Sequence, residues 1–339
     1  MKEVIAKLVE GRNLTRDEAH SAMKTIMSGD ASPAQIGSFL TALRIKGETI
    51  EEISEFARVM RDFASTINPA VDGTLLDTCG TGGDKLSTFN ISTISAFVVA
   101  GAGISIAKHG NRSVTSKCGS ADLLEALGVK IDLPPKEVER VIEKIGIGFM
   151  FAPLFHGAMK HAIGPRQELG IRTVFNILGP LTNPANADAQ VLGVFERGLT
   201  EKMASVLADL GVKHALVVHG IDGLDEISTV GETQISELRN GRVETYTVAP
   251  EDYGFERVDV EVLSGGDAAF NAGLAKGILT GEEEGARLDI VLLNAGAAIY
   301  AGGKADSIKE GIEIARKSIS SGRAYEKLLA LAAETGKRG

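Results

Sequence analysis

Glycines and hydroxyl-bearing residues are concentrated in one stretch of the sequence, at residues 77–93. It begins with DTCGTGGD at residues 77–84 and ends with NIST at residues 90–93. An apolar segment before it, residues 74–76, is typical of a strand, and the small apolar run 92–100 is typical of a buried helix. Glycine allows close approach of the backbone to a ligand, and a helix N-terminus offers free N–H groups to anions. The spacing therefore predicts a phosphate site, although a tight strand-to-helix turn remains the plain alternative.

The same stretch excludes two common nucleotide-binding motifs. No Gly-Lys-Ser/Thr follows the glycines at the distance that a Walker loop requires, and the Gly-x-Gly-x-x-Gly dinucleotide fingerprint is not present. Asn90, Ser92 and Thr93 add side-chain donors and potential helix caps. An anion other than a classical mononucleotide or dinucleotide is thus the better hypothesis.

Three other groups of residues have side chains suited to binding ions or a substrate. Residues 108–120 place lysines, an arginine, an asparagine and hydroxyls around glycines, which suits several oxyanions. Asp225 and Glu226 are adjacent carboxylates, which suit a hard cation, although such a pair is usually solvated surface. Residues 156–166 read as a helix and a following turn at 164–166, where histidines and Arg166 also fit an ordinary surface.

Composition limits the classes of function. The chain has 339 residues, a formal net charge of −9, 44% hydrophobic residues and only 5% aromatic residues. With this negative net charge, the chain lacks the excess of basic residues that is typical of nucleic-acid-binding proteins. Two cysteines predict no disulfide framework, and we find neither a signal peptide nor an apolar run that could span a bilayer. We therefore expect a soluble cytoplasmic protein that acts on a small anionic substrate.

The elements that position these residues fall into two parts. Residues 1–70 look all-helical, with capping boxes that begin at Thr15, Ser32 and Thr49. Their apolar stripes predict a helical-bundle core or, as the alternative, a dimer face.

From residue 75 onward strands alternate with helices, with a hairpin turn at Asn240-Gly241. Residues 268–333 are mostly helical again, although the apolar start of 290–301 also fits a strand. We expect an α/β fold: a small all-helical N-terminal domain at 1–70, joined by a helical segment near 155–175, and a large domain at 71–339 with a mixed or parallel sheet flanked by helices.

Four blocks, at residues 77–93, 108–122, 166–184 and 225–226, resemble the anthranilate phosphoribosyltransferase family and occur in its order. The resemblance implies a pentosyltransferase of tryptophan biosynthesis. It would transfer the 5-phosphoribosyl group of phosphoribosyl diphosphate to the amine of anthranilate and release diphosphate. It also implies Mg²⁺ as cofactor and a homodimer formed through the helical domain, with no nucleic acid or membrane partner.

The resemblance also assigns residues to roles. Those implied for phosphoribosyl diphosphate are Gly80, Gly83, Asp84, Thr88, Asn90, Ile91, Ser92, Thr93, Lys108, His109, Gly110, Asn111, Arg112, Ser113, Val114, Thr115, Ser116 and Ser120. Those implied for anthranilate are Gly80, Asn111, Arg166, His109 and His156. The implied metal ligands are Ser92, Asp225 and Glu226. Asp84, an acid beside phosphates, is expected to act through magnesium or backbone contacts.

Two competing functions share this architecture. A pyrimidine nucleoside phosphorylase also handles a ribosyl C1 and a phosphate, but its different glycine-rich motif is not found here. A non-catalytic nucleic-acid-binding relative would need a basic surface, which the charge balance opposes.

Overall fold

The computed structural model describes residues 1–82, 86–113 and 117–336. The N-terminal helices are α1 (Lys2–Val9), α2 (Arg16–Met27), α3 (Pro33–Lys46) and α4 (Ile50–Asp62). The three expected capping boxes are confirmed: Thr15, Ser32 and Thr49 each accept a hydrogen bond from the backbone three residues on, and a Glu or Gln side chain reaches back. These local signals fix where each helix begins.

Strands and helices then alternate as the sequence predicts. The strands are β1 (Leu75–Gly80), β2 (Ser105–Gly110), β3 (Ile147–Phe151), β4 (Ala189–Gly193), β5 (His214–Gly220), β6 (Thr233–Arg239) and β7 (Arg242–Val248). The helices are α5 (Ile91–Gly101), α6 (Ser120–Ala126), α7 (Pro135–Ile145), α8 (Ala152–Phe155), α9 (Lys160–Leu169), α10 (Phe175–Leu178), α11 (Leu199–Asp209), α12 (Ala268–Thr280), α13 (Ala286–Ala301), α14 (Ile308–Ser320) and α15 (Arg323–Gly336). Residues 290–301 are therefore helical.

The strands form one mixed sheet in the order β3-β2-β1-β4-β5-β6-β7. The first five strands are parallel, while β6 and β7 are antiparallel. The predicted hairpin joins β6 and β7, with positive φ at both Asn240 and Gly241, the type I′ geometry that suits strand twist. The fold class expected from the sequence is confirmed.

Two apolar cores cover the sheet. In one, α5 packs with α13, α14 and α15. In the other, residues of α1–α4 join α11 and buried side chains of β4 and β5, such as Leu192 and Val217. Helix α9 packs against α2 and α3, which ties residues 160–169 to the N-terminal bundle. The division at residue 70, with a helical segment near 155–175, remains our proposal.

Two local predictions were wrong. Residues 164–166 lie inside α9 and not in a turn, because Pro165 is buried in the packed helix and this packing outweighs its missing N–H donor. Asn90 stands at the N-cap of α5 but makes no capping hydrogen bond with its side chain. Across the described residues, no helix is long and apolar enough to cross a membrane.

Candidate functional site

The candidate site lies where the direction of strand addition reverses. β1 runs between β2 and β4, all three parallel, and the chain adds β2 and β3 on one side of β1 before β4 and β5 on the other. Ligands of such sheets bind outside the carboxyl ends of the strands at this switch point. The glycine-rich stretch follows β1, the 108–120 stretch begins at the end of β2, and Asp225 and Glu226 follow β5. One sheet edge therefore collects three of the predicted groups.

Two glycines make room for Asp225 at this edge. Gly80 and Gly193 are register partners at the ends of β1 and β4. A Cβ on Gly80 would lie 2.5 Å from Oδ2 of Asp225, and a Cβ on Gly193 would overlap the backbone carbonyl of Asp225. The N–H of Gly82 donates to Oδ2 of Asp225 at 2.9 Å. The glycine loop, which begins at Gly80 and includes Gly82, is thus in direct contact with the loop that carries Asp225 and Glu226.

Gly193→Ala is expected to lower the free energy of unfolding by about 1–3 kcal/mol, the usual cost of forcing extra atoms into a packed site. Gly198→Ala is the matched control, because nothing lies within 4 Å of a Cβ at that position. Urea unfolding of the two variants measures the difference. Equal stability would contradict the close approach of Asp225.

Glu226 lies beside the start of α5. The backbone N–H of Ser92 donates to Oε1 of Glu226 at 3.2 Å, and the hydroxyl of Thr78 donates to the carbonyl of Ser92 at 3.0 Å. Two carboxylates and a serine hydroxyl are hard oxygen donors of the kind that Mg²⁺ prefers. Among the described residues no group of three or more His, Cys, Asp or Glu forms a metal cluster. A cation here would therefore also need substrate or water oxygens, which is usual for Mg²⁺.

Lys108 points inward beneath the site. Its side chain is buried and its ammonium donates to the carbonyl of Thr78. Burial lowers the pKa of Lys108, opposed by the negative charges of Asp77 and Glu226. Burial likewise raises the pKa of Asp77, opposed by the charge of Lys108 and by a hydrogen bond from Asn183. The ammonium of Lys108 is thus held against β1, within electrostatic range of Glu226.

His109 and His156 face one another, with ring centroids 5.0 Å apart. Both are buried, and within the described part of the chain neither Nε2 atom has a hydrogen-bond partner. Burial lowers the pKa of His109 to about 3 and that of His156 to about 4. Both rings are therefore neutral near pH 7, and each has a buried ring nitrogen that is unsatisfied in the described part of the chain.

This pair predicts loss of stability in mild acid. The unfolded chain binds protons at histidine below about pH 6.5, whereas the folded chain resists protonation until about pH 3–4, so stability present above pH 6.5 is lost as pH falls. His156→Gln should reduce the loss of unfolding free energy between pH 6 and pH 5 by about 1 kcal/mol. His20→Gln, at a half-exposed position beside Glu55, is the control in urea titrations. An unchanged pH slope in His156→Gln would contradict the buried neutral state.

Residues 111–113, which follow β2 in the predicted loop, contact α6. The hydroxyl of Ser120 donates to the carbonyl of Asn111 at 3.2 Å, and the N–H of Ser113 donates to Asp122 at 3.0 Å. Arg112 pairs with Asp122 at 3.0 Å and also with Glu125. A Cβ on Gly110 would collide with Ser120. In this structure the guanidinium of Arg112 is therefore paired with two acids at a half-exposed position.

The residues around the start of α5 that are predicted to bind phosphate differ in how much of their side chain is exposed. Nδ2 of Asn90 donates to the carbonyl of Cys118 at 3.0 Å, which links the first loop to the second. Thr88 is half-buried and bridges to Ser264. Ile91 and Thr93 are buried, so they have little side-chain surface to offer a ligand. Five predicted residues lie outside the described part of the chain: Gly83, Asp84, Val114, Thr115 and Ser116.

Arg166 stands apart from this cluster. It is half-buried on α9, and its guanidinium lies 5.0 Å from the centroid of the Phe175 ring. Burial lowers its pKa. Among the described residues no salt bridge engages it, which leaves its fork of donors available for a carboxylate. Its helix packs on α2 and α3 of the N-terminal bundle.

Sequence reasoning missed three residues that shape the site. Asp77 accepts from the N–H of His109 at 3.3 Å and from Nδ2 of Asn183 at 2.8 Å. Asn183 also donates to the carbonyl of Ala107 at 2.9 Å, so it fastens the end of β2. Gly193 was missed as well. A glycine at the end of a strand, such as Gly193, can indicate that another backbone approaches closely. Nothing in the sequence indicates that this backbone is that of Asp225.

Family models match nearly the whole chain. A model described as the helical bundle domain of a glycosyl transferase family matches residues 2–64, and one described as the a/b domain of a glycosyl transferase family matches residues 72–325. A similar curated relative is the anthranilate phosphoribosyltransferase of Acetivibrio thermocellus. It is 59% identical over 328 residues, which cover 97% of this chain and 94% of the relative.

Solved structures agree with the relatives. The crystal structure of anthranilate phosphoribosyltransferase from Thermus thermophilus is 46% identical with a TM-score of 0.93, and the match covers 98% of this chain and 99% of that chain. The enzyme from Saccharomyces cerevisiae, in complex with PRPP and Mg, is 29% identical with a TM-score of 0.90, covering 98% and 97%. A further structure of the yeast enzyme, at 28% identity and a TM-score of 0.89, holds 4-fluoroanthranilate and covers 98% and 97%.

Proposed function

The chain belongs to the anthranilate phosphoribosyltransferase family, and we propose that its described residues divide the work of that reaction between a phosphate side and an acceptor side. The enzyme transfers the 5-phosphoribosyl group of phosphoribosyl diphosphate to the amine of anthranilate, the second step from chorismate to L-tryptophan. The observation that carries the assignment of residues is the contact of Asp225 and Glu226 with the glycine loop and the start of α5 at the switch point of the sheet.

The phosphate side comprises the glycine loop, the first turn of α5 and the buried ammonium of Lys108. The positive end of the helix dipole and a nearby cation favour a diphosphate that gains negative charge as it leaves. The N–H groups of Ile91, Ser92 and Thr93 now donate to Phe89, Glu226 and Asn90, so a phosphate would have to replace these partners to bind them. The carbonyl of Thr78 now holds Lys108. For Lys108 to bind a phosphate, its ammonium would have to exchange the hydrogen bond to Thr78 for one to a phosphate oxygen.

Mg²⁺ is the cofactor of this reaction, and Ser92, Asp225 and Glu226 are the residues that would hold it. When bound, the cation neutralises the charge that develops on the leaving diphosphate. The donor set of two carboxylates and one hydroxyl fits a cation that keeps other positions for substrate oxygens. The protein's part is to hold the carboxylates at the glycine loop.

The acceptor side comprises Arg166, His109, His156, Asn111 and Gly80. A guanidinium matches the carboxylate of anthranilate with two parallel hydrogen bonds. The facing imidazoles are neutral and largely buried, so they suit packing against an aromatic ring rather than an ion pair. The amine of anthranilate already has a lone pair, so orientation near the ribose C1 supplies much of the rate without a strong base.

Homodimerisation through the helical domain and a cytoplasmic location complete the proposal. The two most exposed large apolar residues of the described chain, Val9 and Ile45 with 73% and 81% of their surface exposed, lie on α1 and α3 of this domain, and these two helices pack against each other. Sedimentation velocity at micromolar concentration tests this point. A monomer there would contradict the proposed dimer.

The test of function is the loss of anthranilate fluorescence on mixing the protein with phosphoribosyl diphosphate and Mg²⁺, with controls that lack each component. We expect rapid loss that requires all three. Absence of loss with folded protein would contradict anthranilate as the acceptor. Diphosphate release with other amines or nucleobases would then identify the acceptor, and release of ribose phosphate from a nucleoside would instead favour a phosphorylase.

A further inference from the structure

Asn294 is a buried polar residue in the middle of α13. Its side-chain amide is hydrogen-bonded to the acidic segment, residues 224–227, which carries Asp225 and Glu226. Its Oδ1 accepts from the N–H of Ile227 at 2.9 Å, and its Nδ2 donates to the carbonyl of the same residue at 2.9 Å. Nδ2 also donates to the carbonyl of Ile290 within α13 at 2.9 Å. An amide that pairs with both backbone groups of one residue fixes the position and the orientation of that residue.

The acidic segment is also fastened at its other end. Oδ1 of Asp222 accepts from the N–H of Leu224 at 3.0 Å, and the hydroxyl of Ser228 donates to Oδ2 of Asp222. The N–H of Gly220 donates to the carbonyl of Leu224 at 2.9 Å. Asp225 and Glu226 therefore lie between two fixed and fully buried neighbours, Leu224 and Ile227.

Core packing alone does not explain an asparagine at this position. Asparagine is a poor residue for a helix interior, because its side chain competes for backbone hydrogen bonds. A buried amide is also unfavourable unless its hydrogen bonds are made. Here the carbonyl oxygen and both amide hydrogens of Asn294 are used, and two of the three bonds reach Ile227. An aliphatic residue would fill the space, but it would not hold the backbone next to Glu226.

We propose that Asn294 is a positioning residue for the metal-binding acids: it holds Ile227, and through it the direction of Glu226 towards Ser92. The inference rests on the proposed function, because it needs a cation between the acids and the diphosphate. Groups that orient metal ligands from behind typically change metal affinity or activity by about 10- to 100-fold when they are replaced. Loss of the hydrogen bonds between Asn294 and Ile227 should therefore raise the Mg²⁺ concentration needed for tight binding of phosphoribosyl diphosphate.

The experiment measures binding rather than turnover. The dissociation constant of phosphoribosyl diphosphate is determined by calorimetry over a range of Mg²⁺ concentrations, without anthranilate, for the wild type, Asn294→Leu and Asn294→Ser. The serine variant, with a single oxygen in place of the separate donor and acceptor, decides the question if the leucine variant does not fold. Ser318→Ala is the matched control, because it also removes a buried hydrogen bond to a backbone carbonyl, that of Val98 at 2.7 Å.

We expect the Mg²⁺ concentration for half-maximal binding to rise about 10-fold or more in the Asn294 variants, and to stay unchanged in Ser318→Ala even if both proteins melt earlier. Wild-type Mg²⁺ dependence retained in folded Asn294 variants would overturn the inference and leave the proposed function intact. Failure of the wild type to bind phosphoribosyl diphosphate at any Mg²⁺ concentration would overturn both.

Discussion

Asp225→Asn combined with Glu226→Gln is expected to reduce turnover by about 100-fold or more, since groups that stabilise developing charge in a closed site contribute on this order. The replacements keep the shapes of the side chains, and an asparagine at 225 can still accept from the N–H of Gly82. The fold should therefore survive while the two negative charges at the glycine loop are lost. The Mg²⁺ requirement should shift together with turnover.

The measurement is the initial rate of anthranilate fluorescence loss over a range of Mg²⁺ concentrations. Asp72→Asn combined with Glu256→Gln is the matched control, because both of these acids are exposed. It makes the same change in net charge away from the site. If the double variant at 225 and 226 kept both its turnover and its metal dependence, the metal role of these acids would be wrong.

Arg166→Ala is expected to lower kcat/KM for anthranilate by about 10- to 100-fold, because a charge-assisted hydrogen-bonded pair contributes roughly 1.5–3 kcal/mol. Nothing in the described part of the chain forms a salt bridge with this guanidinium, so its loss leaves no buried acid unpaired. The KM for phosphoribosyl diphosphate should change much less, since the residues proposed for phosphate lie at the carboxyl ends of the strands and Arg166 lies on α9.

Steady-state kinetics with each substrate varied in turn separate the two effects. Arg166→Lys should give an intermediate loss, because an ammonium keeps the charge without the planar fork. Arg257→Ala, at an exposed arginine paired with Glu251, is the control. Equal losses for both substrates would remove Arg166 from the role of carboxylate clamp.

The two predictions probe different parts of the molecule. Asp225 and Glu226 are held by the α/β sheet and by α13, whereas Arg166 is carried by a helix that packs on the N-terminal bundle. Arg166 is thus supplied by a different structural layer from the two acids, whereas Gly80 and His109 of the acceptor side lie in the sheet itself.

Much of the local structure was decided by short segments of sequence. The capping boxes at Thr15, Ser32 and Thr49 place helix starts within four residues of chain, and Asn240-Gly241 specifies a hairpin turn. These signals are readable because each depends on backbone geometry that a few neighbouring residues impose. Pro165 is the counterexample: its local preference to end a helix was outweighed by burial in the packed α9.

By itself the sequence determined the helical and α/β parts, the glycine-rich stretch between β1 and α5 and, through its resemblance, the family. Only the tertiary structure decided how the site is held together. Asp225 meets Gly82 across 143 residues of chain, and Asn294 meets Ile227 across 67. Likewise Lys108, a cation by sequence, is turned inward to Thr78 by the strand that runs beside it. Such contacts depend on which strand is placed beside which, and that placement results from packing of the whole sheet rather than from the preferences of the residues that meet.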